Sequence, residues 1–178
     1  MNAKFVIVAA LVAAVVMFAW SAVFHVALWP ESSMIDLSVN QAAVDAIRNA
    51  TGGRSGVHWT QGVFLVTHVD SSPEDNMGPM MAQEFGATFV GALFLVLGLG
   101  ALRPRSAMNG GLVCGTLGFA AAASTLLSET IWYGFPISWT ALNTIDLTVG
   151  WFLAGLVIAA LMRKMNPFGQ EQASARAA

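Results

Sequence analysis

The chain is poor in charge. Of its 178 residues, 8 are Lys or Arg and 10 are Asp or Glu, 10% in all, where a soluble domain carries about a quarter. So few charges cannot solvate a globule of this size, and a net charge of -2 excludes the basic footprint of a nucleic-acid binder. Cysteine is nearly missing. Cys114 stands alone, which rules out an internal disulfide, a CxxC redox pair and a cysteine-rich zinc site. Histidine occurs three times, and only His25 falls in a long apolar run, so a haem protein with several axial histidines in its spans is excluded as well. HExxH, P-loop and GxSxG motifs are absent. The paired outer cysteines of claudin-like proteins are missing too, and a shared plan alone carries no function.

What the chain has instead is apolar length. Hydrophobic residues make up 56% of it, with a mean hydropathy of +0.66. Four runs, residues 5–29, 85–102, 110–128 and 139–162, each approach the roughly 20 residues that span a bilayer. The first run competes with a secretory signal, because Lys4, an alanine-rich core and Ala19-Trp20-Ser21-Ala22 imitate its parts. Its apolar character continues past Ala22 to Trp29, longer than the about 7 to 15 residues of a signal core. A retained helix ending at Trp29-Pro30 is expected.

Basic residues orient the spans. Lys4, Arg103, Arg105, Arg163, Lys164 and Arg176 fall on one side of a four-span plan and only Arg48 and Arg54 on the other. By the positive-inside rule both termini are cytoplasmic and residues 31–83 face outward. Residues 165–178 are then a cytoplasmic tail, expected to be disordered. The expected fold is an all-α membrane protein, a single domain over 1–178. It comprises a bundle of four transmembrane helices with an extracytoplasmic cap, a small helix plus a β-hairpin, between helices 1 and 2.

Within the cap, Ser38 or Asn40 can start a helix through Gln41–Arg48 that Gly52-Gly53 stops. Val57–Thr60 and Val63–Val69 read as two strands about Gln61-Gly62, and Ser71–Pro79 as an exposed loop. His58 and His68 tempt as a metal pair. If Thr60 pairs with Val63, however, His58 lies opposite Leu65 and strand alternation sends the two imidazoles to opposite faces.

In the spans, helical spacing carries more. Gly111, Gly115, Gly118, Ala122, Thr125 and Glu129 form one stripe on the third span. Glu84, Thr88, Gly91, Leu95 and Gly98 form another on the second. Small residues permit close backbone approach in lipid, so the two stripes are expected to face each other with Glu84 and Glu129 at one end. At 1.5 Å rise per residue, Asp146 lies about 26 Å from Arg163, Glu84 about 29 Å from Arg103, and His25 about 32 Å from Lys4. Glu129 lies about 29 Å beyond Gly110. His25, Glu84, Glu129 and Asp146 therefore share one layer and form the candidate polar site.

Each has a plainer explanation. Glu84 at the outward start of a helix would serve the dipole, whereas Glu129 at a C-terminus is disfavoured by it and asks for water, a cation or a partner. His25 and Asp146 would make a structural pair, with Ser21 one turn below His25 and Gly150 clearing space below Asp146. Trp20, Trp29, Trp132, Tyr133, Trp139 and Trp151 fit an interfacial aromatic belt better than a binding cage.

The segments Met17-Phe18-Ala19-Trp20-Ser21-Ala22-Val23-Phe24-His25, Trp132-Tyr133-Gly134-Phe135-Pro136 and Asp146 with Gly150-Trp151 resemble a group of uncharacterised four-span bacterial inner-membrane proteins. The likeness covers the first and last spans and the overall plan. It implies architecture and membrane, and no activity, cofactor or functional residue.

Two functions remain. The first is a non-enzymatic binding or accessory protein whose outer cap and Glu129–Trp151 hairpin form the surface that meets lipid, a partner membrane protein or a second copy of itself. The alternative is a cation, proton or small-ligand site, extending to a metal-dependent enzyme, built from His25, Glu84, Glu129 and Asp146. Of these, His25, Glu129 and Asp146 would be the metal ligands. No motif indicates a cofactor, and a transporter lacks its inverted repeat.

Overall fold

A computed structural model describes residues 1–28, 41–54, 56–60, 63–67 and 73–165. Four of its helices are long and apolar enough to cross a membrane, and the chain is a multi-pass membrane protein. The first, α1 (Ala3–Val23), starts on Asn2, whose Oδ1 accepts from the Phe5 N–H at 2.8 Å and satisfies one of the unpaired first-turn donors. It does not continue regularly to Trp29, as its composition suggests. At Phe24–Leu28 it widens into a π-helical turn, a form that recurs at functional sites. Trp29 and Pro30 lie outside the described residues.

Between the first two spans, α2 (Gln41–Ala50) ends where expected: Gly53 N–H bonds to Arg48 O at 2.8 Å. Gly52 and Gly53 both take the left-handed conformation that terminates a helix at little steric cost. Two five-residue strands, β1 (Gly56–Thr60) and β2 (Val63–Thr67), pair antiparallel with Thr60 opposite Val63 and His58 opposite Leu65. His68, Ser38, Asn40 and the tail from residue 166 lie outside the described residues.

The next helix, α3 (Pro73–Leu102), departs furthest from expectation, because most of the stretch read as a loop is helical and Pro79 lies inside it. Proline suits the first helical position, where its missing N–H would be unpaired anyway. The good helix formers from Met80 to Glu84 then carry the helix through Pro79, at the loss of one backbone hydrogen bond. After a short connection come α4 (Ala107–Tyr133), capped by Ser106, and α5 (Ile137–Met165). Gly134 closes α4 in the left-handed region, φ 73°, with its N–H on Thr130 O at 3.2 Å.

Side-by-side order decides what can meet. The dominant contact is α4 on α5; α1 packs against both α5 and α3, and α3 touches α5 only lightly. The bundle thus runs α4, α5, α1, α3, and its chain neighbours α3 and α4 occupy opposite flanks. The expected pairing of the second- and third-span stripes does not occur. The small face of α4 receives α5 instead. A Cβ at Gly118 would sit 2.8 Å from Trp151 Cβ, and one at Gly115 would sit 3.1 Å from Phe152 Cβ. Large residues of α5 fill the hollows of α4, whereas Gly91 and Gly98 on α3 have nothing within 4 Å of such an atom. On α1, Ala9, Ala10, Ala13 and Ala14 are fully buried. These two i, i+4 rows let it be approached from two sides. Around them the core is built from Phe5, Ala92, Val96, Leu99, Cys114 and Ile158.

One end of the bundle gathers the charge. A Cβ at Gly100 would meet the Met1 and Met162 side chains, so the start of α1 and the ends of α3 and α5 are neighbours. Lys4, Arg103, Arg105, Arg163 and Lys164 belong to that end.

Candidate functional site

The opposite end holds the one pair of expected site residues that meet. His25 enters from the π-helical turn and Asp146 from the α5 face that packs on α1. Their closest atoms, His25 Nδ1 and Asp146 Oδ2, are 3.9 Å apart, with the carboxylate side chain 8% exposed and the imidazole 27%. Ser21 stands between them. Its Oγ donates to Asp146 Oδ2 at 3.2 Å and lies 3.3 Å from His25 Nδ1. The same ring nitrogen is 3.0 Å from Ser21 O. A carbonyl oxygen only accepts, so in this arrangement Nδ1 carries its proton. Donors therefore run in one direction: imidazole N–H, serine O–H, carboxylate.

Trp20 completes the junction. Its Nε1 donates to the Asp146 backbone oxygen at 3.1 Å, and its ring packs against Phe24 at a centroid distance of 5.8 Å. The space beside Gly150 is taken by Trp20, whose Cδ1 would be 3.4 Å from an added Cβ. One feature of the site is left unbalanced. Asp146 Oδ1 is buried and has no hydrogen-bond partner among the described residues, a costly state for a carboxylate oxygen in lipid.

Glu84 and Glu129 do not join. No group of three or more His, Cys, Asp or Glu side chains able to hold a metal is gathered among the described residues. A ligand set of His25, Glu129 and Asp146 is therefore not assembled. Helix order separates the groups: Glu84 rides on the α3 flank and Glu129 on the α4 flank. Glu84 is exposed and lies about three turns inside α3, too far from its N-terminus for the dipole role. Glu129 is half-buried in the penultimate turn of α4.

The aromatics divide. Trp132 and Tyr133 are exposed at the end of α4, and Trp139 stacks near Phe135 at 6.0 Å, positions suited to an interface. Trp20 and Trp151 are half-buried and contact neighbouring helices, Trp20 at Asp146 and Gly150 and Trp151 at Gly118.

A threonine ladder went unnoticed in the sequence. Thr148 donates to Thr144 O at 2.6 Å, Thr144 to Thr140 O at 2.7 Å, and the Thr140 hydroxyl pairs with that of Thr130 across the α4–α5 turn. Spacing of four along α5 was the available signal, because each hydroxyl can then satisfy itself on the preceding turn. No protein-family model, curated protein or solved structure matches the chain.

Proposed function

We propose that the chain is a non-enzymatic binding or accessory protein of a bacterial inner membrane. In this reading both termini are cytoplasmic, and α2 with the β1–β2 pair forms an outer cap. The orientation is supported by the single-ended clustering of basic residues under the positive-inside rule. The observation that carries the function is the open flank of α3. Helices associate in lipid through small-residue faces that allow close van der Waals contact. Those of α1 and α4 are filled within the chain, while a Cβ added at Gly91 or Gly98 of α3 would meet nothing within 4 Å. A transmembrane helix of a partner membrane protein is the occupant this face suits. Crosslinking in mild detergent tests the reading with wild type and a Gly91→Leu/Gly98→Leu variant. A defined partner that is captured by wild type and lost from the variant is expected. A wild-type chain that remains a solitary monomer overturns it.

A second reading rests on Asp146 Oδ1, the buried oxygen without a partner. With Ser21 and His25 it makes a site for a proton or small cation, without Glu84 or Glu129. Metal analysis of detergent-purified wild type, His25→Ala and Asp146→Asn separates the cases. Equal, negligible metal in all three removes the cation and leaves proton exchange as the form to test.

A further inference from the structure

We infer that the basic end of the bundle holds a specific site for one anionic phospholipid, with its headgroup phosphate between Arg103 and Arg105 and an acyl chain laid along α4 toward Phe119. This inference stands apart from the partner reading and from the His25–Asp146 site.

Three observations carry it. A cavity of about 430 Å³ opens at the α3–α4 connection, lined by the polar Arg103, Arg105 and Asn109 together with Leu102, Pro104, Leu112 and Val113. No acidic side chain lines it. Guanidinium groups match phosphate oxygens in charge and in fork geometry, and basic pockets beside transmembrane helices are suited to anionic headgroups. Asn109, in the first turn of α4, places the positive end of that helix in the same field.

The second observation is the backbone. Arg103 takes φ 50°, a left-handed conformation that is sterically unfavourable for a non-glycine residue. Its N–H still closes on Leu99 O at 2.8 Å. The chain thus turns sharply out of α3 at a residue where glycine would be easier, and the residue kept there is an arginine that lines the cavity.

The third is adjacency, because the two hollows share Leu112 in their linings. Leu112 also lines a second hollow of about 340 Å³, which runs between α4 and α5 past Gly115, Phe119, Val149 and Phe152. From Leu112 to Phe119 the path is about 10 Å long. Thr116 and Thr148 line it too, and the Thr148 hydroxyl is committed to Thr144 O, so the lining is mostly apolar with Thr116 as its polar member. A charged mouth leading into an apolar groove on the lipid side has the two-part chemistry of a phospholipid. Free phosphate would use only the mouth.

The test compares full-length protein in nanodiscs of phosphatidylcholine with and without phosphatidylglycerol, together with inorganic phosphate at matched ionic strength. Thermal unfolding and native mass spectrometry of retained lipid are the readouts. Arg103→Gln/Arg105→Gln is set against Arg163→Gln/Lys164→Gln, which removes equal charge from the same end but outside the cavity. Phosphatidylglycerol should stabilise wild type and the Arg163/Lys164 variant. The Arg103/Arg105 variant should lose that shift and about tenfold or more of the retained lipid. Leu112→Trp, which enlarges the residue that lines both hollows, should reduce the shift with both arginines present. Equal loss in the two charge variants would reveal a diffuse field and overturn the site. So would a full shift with inorganic phosphate alone, and an unchanged shift in Leu112→Trp would overturn the acyl path.

Discussion

Ser21 Oγ donates to Asp146 Oδ2 at 3.2 Å, tying α1 to α5 through a hydroxyl one helical turn from His25. This contact turns two costly residues into a connected unit on the α1–α5 seam, whereas helix order keeps Glu84 on the α3 flank and Glu129 on the α4 flank away from it.

The unit should behave as coupled. Single substitutions His25→Ala and Asp146→Asn, and the double variant, define a thermodynamic cycle measured by unfolding in detergent. A coupling of about 1–2 kcal/mol is expected, because losing one partner leaves the other buried with less compensation. The corresponding cycles of His25 with Glu84 or Glu129 should couple by less than about 0.5 kcal/mol. A large value in either would restore the four-residue layer.

Trp20 should contribute separately. Trp20→Phe keeps a ring beside Phe24 but deletes the donor to the Asp146 carbonyl, and a cost of about 1 kcal/mol is expected. The same unfolding assay checks it, and an unchanged midpoint would mean that the carbonyl finds another donor.

Glycine position should matter more than glycine number. Gly118→Leu forces a side chain into Trp151 and should destabilise by about 3 kcal/mol or prevent folding. Gly98→Leu faces open space, and the detergent-solubilised chain should keep its stability to within about 0.5 kcal/mol. Equal damage at both sites would place a helix against α3 within the same chain.

Cys114 reports on the α4–α5 contact. It is 1% exposed, with its Sγ pressed toward Gly155, so a membrane-permeant maleimide should label it only when the helices part. A cysteine placed at Phe119, which is 56% exposed, should react about tenfold faster or more. Comparable rates would show that the contact opens readily.

Much of the local structure was legible in particular residues. Gln41–Arg48 followed by Gly52-Gly53 announced α2 and its stop, because capping is decided by neighbours in the chain. Ser71–Pro79 misled, since turn-forming residues next to a strong helix can be absorbed into its first turns when proline falls where an N–H is dispensable. The site was half legible. His25, Ser21 and Asp146 stood out as polar groups in apolar runs, but the π-helical turn that carries His25 left no mark in composition.

Run length and composition along a single chain are enough to set the class of the molecule, its four spans and the concentration of basic residues at one end. Tertiary structure alone decided which small-residue face met which partner. Stripes on the second and third spans look alike when read one helix at a time. The choice depends on whether distant side chains such as Trp151 and Phe152 fill a particular hollow. That shape match sets α3 and α4 on opposite flanks, parts Glu84 from Glu129, and leaves His25 and Asp146 as the pair that meets.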